Sequence, residues 1–279
     1  MRLFCYLLLT LSMQFLIVSS CSGHIHFLCV VDSNAPNIGE DASASGDLVR
    51  TSLFSSIAKG TLTEKRLEGR QVTIDGLQRA ITSLKVAPSD TVVFYYCGHG
   101  NYSNVTGSSL RFFAESKNLQ FSTVKRWLQA KRPRFLLTLN DSCSVKRRGR
   151  VLFPAPYPFQ PDESSEIADR LFIQNTGWFH INSSSASEFA LSRSGALDAE
   201  ASDNGFTVVP GTPFAWSFYE RITGNQHVDF TWERFTRNVR DDVAKRFRDT
   251  YPQGYRVLGR KPQFRQSVWG QRDGKSEIR

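Results

Sequence analysis

The chain has 279 residues, 40% of them hydrophobic and 22% charged, so it can bury a full core as one globular domain. This composition excludes disordered, collagen-like and disulfide-scaffold proteins. The net charge of +9 would suit an acidic partner, but no RNA-binding, zinc-finger or helix-turn-helix pattern accompanies it. We therefore expect a solvated basic surface and no nucleic acid partner.

The first residues have the pattern of a secretory signal peptide. Arg2 precedes an apolar run over residues 3–18, which is shorter than the ~20 residues that cross a bilayer, and small residues follow it. We predict a signal peptide over residues 1–22, a single domain over residues 23–279, and export from the cytoplasm. The segment that ends at Cys21 also resembles a bacterial lipoprotein signal, which would anchor the protein to a membrane. A misassigned start, with Met13 as the true one, is the third interpretation.

The cysteine count excludes a disulfide framework. Cys5 and Cys21 fall in the predicted signal peptide, which leaves Cys29, Cys97 and Cys143. This number is odd, so at least one thiol is unpaired. An unpaired cysteine in an exported chain is a candidate nucleophile.

Predicted strands and helices alternate along the chain. The predicted strands span residues 24–32, 61–68, 90–100 (running into a glycine-flanked turn), 134–143 (ending in a polar turn), 177–185 and 263–270. The predicted helices span residues 47–59, 73–84, 121–131, 166–175, 213–224 and 229–249. This order indicates an α/β fold with a mostly parallel central sheet and helices on both faces.

Two candidate catalytic side chains follow neighbouring predicted strands. His99 lies between Gly98 and Gly100 after one strand, and Cys143 follows the next. Because reactive groups gather at the carboxyl ends of parallel strands, we expect the imidazole to meet the thiol, favour its thiolate and protonate a leaving amine. The backbone N–H groups of Gly100 and Cys143 are candidates for binding an oxyanion. A structural histidine and a buried cysteine are the alternative.

The segments around these two residues resemble metacaspase motifs. FYYCGHG at residues 94–100 is similar to the F-Y-Y-S-G-H-G histidine motif, and LNDSCS at residues 139–144 resembles the D-S-C-H-S-G nucleophile motif. Residues 205–224 resemble a further segment of the family. The resemblance implies a caspase-hemoglobinase fold and a cysteine peptidase that forms an acyl-enzyme on Cys143, with no cofactor.

The resemblance also implies the substrate residue that precedes the cleaved bond. Metacaspases place acids at the positions matching Asp47 and Asp141 to bind Arg or Lys, so peptide or protein substrates with basic residues are expected. Charge pairing in a partly desolvated pocket is the physical reason. The loop after the first strand carries further acids, Asp32, Glu40 and Asp41. The alternatives are an N-cap role for Asp47 and a turn role for Asp141.

One departure from the family concerns the substrate pocket. Cys97 stands where metacaspases have serine, so the resemblance places it in the pocket beside the nucleophile. A disulfide with Cys143 would silence the enzyme until it is reduced. The competing interpretation is a small buried side chain at the end of a strand.

Two regulatory properties follow from the residues around Cys143. The acids between His99 and Cys143 are Glu115 and Asp141, too few for the six to eight oxygen ligands of calcium, so we expect no metal and calcium independence. The basic residues 146–150 lie in a predicted Pro-rich loop. The enzyme is expected either to cleave itself there or to carry these residues as a solvated, charged loop without cleavage. A catalytically inactive caspase-fold binding protein and a basic surface-binding module are the rival functions.

Overall fold

The computed structural model describes residues 23–57, 61–142, 169–186, 188–190, 211–224, 231–254 and 262–273. Within these residues the strands are β1 (Ile25–Val31), β2 (Leu62–Glu68), β3 (Thr91–Gly98), β4 (Gly100–Ser103), β5 (Gly107–Phe112), β6 (Lys117–Gln120), β7 (Phe135–Ser142), β8 (Gly177–Asn182) and β9 (Trp269–Arg272). The central sheet has the spatial order β2-β1-β3-β7-β8-β9, in which only β8 and β9 are antiparallel neighbours. The prediction of a mostly parallel central sheet is confirmed.

The helices of the described residues are α1 (Gly39–Ser56), α2 (Ile74–Ser83), α3 (Phe121–Gln129), α4 (Pro213–Thr223) and α5 (Trp232–Thr250). A short 3-10 helix spans Gly69–Gln71 and a π-helical turn spans Asp169–Ile173. Threonine side chains cap three of these helices: Thr73, Thr212 and Thr231 each accept a backbone N–H from three residues further along. No helix in the described part of the chain is long and apolar enough to cross a membrane.

The interior strands β1 and β3 have almost wholly apolar sequences. Every residue of β3 is buried, and in β1 only His26 is partly exposed. Continuous apolar sequences are typical of parallel strands that are covered on both faces. The strands predicted at residues 24–32 and 90–100 are confirmed, and β1 has a hydrogen-bonded strand on either side.

Helices cover both faces of the central sheet, as predicted. Successive side chains of a strand point to opposite faces. Phe27 and Cys29 of β1 therefore pack in the layer that contains α1, α4 and α5, whereas Leu28 and Val30 pack in the layer that contains α2 and α3. The fully buried ring of Trp232 contacts several phenylalanine rings within the first layer.

A small antiparallel sheet of β4, β5 and β6 is not predicted from the sequence. Its strands are short, and β4 and β6 are partly exposed and polar, so they lack a clear apolar alternation. Gly107 at the turn between β4 and β5 has a φ of 73°, which favours glycine. Because β4 begins at Gly100, this sheet continues the chain directly beyond His99.

Several element boundaries differ from the prediction. The first helix begins at Gly39, well before residue 47, because small residues let it approach the sheet closely: a Cβ on Gly46 would lie 2.7 Å from Cγ1 of Val31. The last strand covers Trp269–Arg272 instead of residues 263–270. Of the helix predicted at 166–175, residues 169–175 are described, and only Asp169–Ile173 among them are helical, as a π-helical turn. The predicted signal peptide at 1–22 lies outside the described residues.

Candidate active site

The register of the central sheet brings three of the predicted site residues to one edge. Cys97 in β3 is paired with Asp141 in β7, and Gly98 is paired with Ser142. His99 follows Gly98 directly, at the carboxyl end of β3. Cys143, the predicted nucleophile, is the residue after Ser142 in the sequence and lies outside the described residues.

The imidazole of His99 is held from two sides. Its Nε2 lies 3.1 Å from the carbonyl oxygen of Pro36, and its ring centroid lies 5.0 Å from that of Phe113. A carbonyl oxygen can only accept a hydrogen bond, so Nε2 carries the proton in this contact. Nδ1 is then the nitrogen that can accept a proton from a nucleophile.

The turn at His99 depends on Tyr96 and Gly98. The Tyr96 hydroxyl lies 2.8 Å from the carbonyl oxygen of His99 and 3.0 Å from that of Arg111, so it joins β3 to β5. A Cβ at position 98 would lie 2.6 Å from this hydroxyl and 3.1 Å from Cβ of Asp32. Any side chain there would displace the contact that positions His99. Gly100, the predicted oxyanion donor, begins β4 immediately after His99.

Asp141 is a buried carboxylate within β7, and does not lie in a polar turn. One of its oxygens, Oδ2, accepts from the Tyr95 hydroxyl at 3.0 Å and from the Thr212 hydroxyl. The other, Oδ1, is buried and has no donor at normal hydrogen-bond geometry among the described residues, although the Ser183 hydroxyl is close enough to favour the charged form of Asp141. Burial raises the pKa of Asp141 to about 6, against the opposing hydrogen bond from Thr212.

A second buried carboxylate, Asp41, lies in the first turn of α1 and points to the same region. It accepts from the backbone N–H of Gly211 at 2.9 Å, while the adjacent Thr212 donates to Asp141. The backbone N–H of Thr212 also donates to Ser45 of α1 at 2.8 Å. Two consecutive residues before α4 therefore connect the carboxylates of Asp41 and Asp141.

Asp47 is not brought together with Asp141. Its carboxylate forms an ion pair with Arg66 of β2 at 2.6 Å, and its side chain is 64% exposed. In the sheet order, β1 and β3 separate β2 from β7. The assignment of Asp47 to the pocket is what the metacaspase resemblance implies, and it stays a prediction. With the helix starting at Gly39, the face with the small residues Ala42, Ser45 and Gly46 carries Asp41.

Cys97 lies against the same pair of acids. Its side chain is 2% exposed, and its sulfur lies 3.8 Å from Oδ2 of Asp141. Burial raises the pKa of the Cys97 thiol well above its usual value, and the charges of Asp141 and Asp41 raise it further. The thiol is therefore protonated and acts as a weak donor to Asp141. A disulfide with Cys143 stays a prediction.

The arrangement combines a proton acceptor with a buried anionic site. His99 offers a ring nitrogen at the edge of the sheet, and Asp41 with Asp141 offers two carboxylates that suit a cation. Of the site residues predicted from the sequence, His99, Cys97 and Asp141 lie close together at this edge, and their roles stay predictions. The sequence does not predict the hydrogen bonds that Gly211 and Thr212 donate to the two acids. The Gly-Thr-Pro segment indicates a helix that begins with a threonine cap, but it does not indicate which carboxylate that threonine contacts.

The raised pKa of Asp141 predicts how stability changes with pH. A carboxyl group in an unfolded chain titrates near ~3.9, so ionisation in the folded state costs stability as pH rises through about 6. We expect Asp141→Asn to match the wild type at pH 4 and to unfold with a free energy higher by up to ~2–3 kcal/mol at pH 8.

Denaturant titrations at pH 4, 6 and 8 measure this effect. Asp47→Asn, at an exposed carboxylate, is the control variant. The same difference between Asp141→Asn and wild type at all three pH values would show that the Asp141 carboxyl does not titrate in this window.

Comparisons with known proteins are consistent with this geometry. The family profile described as the caspase domain matches residues 52–269. No curated protein matches the chain by sequence. Among solved structures, the crystal structure of caspase-1 from Spodoptera frugiperda is similar to 90% of this chain and 88% of its own, with a TM-score of 0.55 and 11% sequence identity, a likeness that shows the fold alone. Since the matched segment spans well over half of its residues, the chain belongs to the caspase-domain family.

Proposed function

We propose that the protein is a cysteine endopeptidase that hydrolyses peptide bonds after Arg or Lys. Membership of the caspase-domain family supports cysteine peptidase chemistry in general. The observation that carries the specificity is the pair of buried carboxylates: Asp141 in β7, at the end of the sheet where His99 follows β3, and Asp41 in α1, connected to it through Gly211 and Thr212.

In this proposal Cys143 is the nucleophile and His99 is its partner. Cys143 follows Ser142, and Ser142 is paired with Gly98, the residue before His99. Nδ1 of His99 takes the thiol proton as sulfur attacks the carbonyl carbon, and then gives it to the leaving amine. Water hydrolyses the resulting acyl-enzyme. The N–H groups of Gly100 and Cys143 are the proposed donors to the oxyanion.

The basic side chain of the substrate would bind between the two carboxylates. Oδ1 of Asp141 lacks a donor at normal hydrogen-bond geometry among the described residues, and a guanidinium or ammonium group supplies several. The cation would take the places of the Thr212 hydroxyl and the Gly211 N–H, which now cover the acids. A purely structural role, in which the acids hold the start of α4, makes a different prediction for the variants below.

The dyad is tested by replacing each of its members. We expect Cys143→Ala to abolish hydrolysis of Arg-containing peptides, and His99→Ala to lower kcat by several orders of magnitude, because each change removes one half of the acyl-transfer pair. Initial rates with fluorogenic peptides measure this. Unchanged rates in either purified variant would contradict the dyad, and the absence of activity in folded wild type would favour a catalytically inactive binding protein.

The specificity is tested with a matched pair of acid variants. We expect Asp41→Asn and Asp141→Asn to raise KM for Arg and Lys peptides at least about tenfold, because each removes a charge that pairs with the substrate. Asp47→Asn is the control and should leave KM within about twofold, since its carboxylate pairs with Arg66. A preference for Asp-ending peptides, or equal KM changes in all three variants, would contradict the proposal.

We also propose that the activity does not require calcium. Of the two acids between His99 and Cys143, Glu115 accepts from the N–H of Ile74 at 3.4 Å and Asp141 belongs to the acidic pair. We expect peptide hydrolysis to stay within about twofold after a chelator is added, since these acids offer too few ligands for the ion. Strong activation by added calcium would refute this.

Three further predictions concern residues outside the described part of the chain. Export and a lipid on Cys21 depend on residues 1–22, and self-processing depends on residues 146–150. We retain them as proposals on the sequence argument alone.

A further inference from the structure

Arg111 lies beside His99 on the small sheet. Its backbone N–H donates to the carbonyl oxygen of His99 at 2.9 Å, so the two residues face each other where the antiparallel pairing of β4 with β5, which sets Gly100 opposite Leu110, extends by one residue. Opposed residues on antiparallel strands project to the same side of the sheet. The guanidinium carbon of Arg111 lies 4.9 Å from the ring centroid of Phe113, and that ring contacts the imidazole of His99. Imidazole, phenyl ring and guanidinium thus form one continuous row.

The charge of Arg111 has no counter-ion within the described residues. Its Nε is buried and makes no hydrogen bond there. Several other arginines of the protein have carboxylates at 2.6–2.8 Å, namely Arg50, Arg66, Arg221, Arg246 and Arg272. A guanidinium is built to bind a carboxylate through two parallel hydrogen bonds. Arg111 is therefore free to pair with an anion that comes from outside the described residues.

The position of Arg111 is fixed by its surroundings. The backbone N–H of Phe113 donates to Oδ2 of Asp32 at 3.0 Å, and the backbone N–H of Asp32 donates to the carbonyl oxygen of Cys97 at 2.9 Å. Burial raises the pKa of Asp32, and hydrogen bonds from backbone N–H groups oppose the rise. The carboxyl group of Asp32 thus anchors the strand beneath Phe113. A rigid platform of this kind reduces the entropy lost on binding.

The position of Arg111 relative to Asp41 and Asp141 indicates which part of a bound substrate it would contact. Asp41 and Asp141 lie on the central-sheet side of His99, whereas Arg111 and Phe113 lie on its small-sheet side. A substrate with its basic residue at the acids and its scissile bond at His99 continues toward the small sheet. The residues after the scissile bond then pass Arg111.

We propose that Arg111 binds the side-chain carboxylate of an Asp or Glu that follows the scissile bond. The preferred substrates are therefore chains in which a basic residue precedes the cleavage point and an acidic residue lies shortly after it. This inference rests on the proposed peptidase function. It adds a positively charged specificity residue, Arg111, on the leaving-group side of His99, opposite in charge to the acids that bind the preceding basic residue.

The test uses internally quenched peptides with amidated C-termini, so that no terminal carboxylate competes. Arg precedes the cleavage point, and Glu or Gln occupies each of the next three positions in turn. We expect wild type to cleave the Glu peptide with a kcat/KM about tenfold higher than the Gln peptide at one or more of these positions, equivalent to about 1.4 kcal/mol. The ratio should fall to about one in Arg111→Gln and below one, in favour of the Gln peptide, in Arg111→Glu.

Two further variants separate recognition from folding. Arg126→Gln, at an exposed arginine on α3, should keep the wild-type ratio. Arg111→Lys keeps the charge and should keep a preference for Glu, although a smaller one. Equal rates with Glu and Gln in wild type, or a preference that survives Arg111→Gln, would overturn the proposal. Failure of wild type to cleave any of the Arg peptides would refute the peptidase function as well, so the two failures are distinguishable.

Discussion

The pairing of β3 with strands on both sides is the constraint on which the site depends. All eight residues of β3 are buried, and its register with β7 sets Cys97 beside Asp141 and Gly98 beside Ser142. A shift by one residue would turn every side chain of the strand to the other face, which the two apolar layers forbid. The position of His99 at the carboxyl end of the sheet therefore follows from core packing. The hydrogen bond to the carbonyl oxygen of Pro36 and the ring contact with Phe113 then only need to orient its imidazole.

Against this apolar background, the buried carboxylate of Asp141 is costly to stability. Desolvation disfavours its charged form, and the hydrogen bonds from Tyr95 and Thr212 offset only part of that cost. Unfavourable burial of this kind is typical of sites whose charge is used in binding, because a cation finds the carboxylate already stripped of water. On the other side of His99, the guanidinium of Arg111 carries the opposite sign. The charges around His99 are thus arranged with anions on the central-sheet side and a cation on the small-sheet side.

How much could be predicted from the sequence depended on the strength of the local pattern. The continuous apolar strands β1 and β3 and the capped helix after Thr73 are evident, because burial on both faces and a side-chain cap leave clear signatures. The start of the first helix, at Gly39, is not evident from the sequence, because its first turns consist of small and polar residues without apolar residues at helical spacing. These small residues let the helix approach Val31 closely. The choice of Asp47 for the pocket rests on the metacaspase resemblance, and the structure pairs Asp47 with Arg66 while Asp41 contacts Gly211, next to the Thr212 partner of Asp141. The small sheet escaped prediction because short, half-exposed strands are defined by their partners more than by their own residues.

Thr212 performs two tasks with a single hydroxyl group. It caps α4 by accepting from the N–H of Ala215 at 3.0 Å, and it donates its proton to Asp141. A serine could replace it in both contacts, whereas valine, of nearly the same volume, would leave the helix uncapped and the carboxylate short of a donor. The two positions therefore depend on each other unequally: loss of the acid leaves the cap of α4 intact, whereas loss of the hydroxyl removes both the cap and a donor to Asp141. Among relatives of this chain, an acid in β7 should accordingly be accompanied by a hydroxyl before α4, whereas the hydroxyl can occur without the acid.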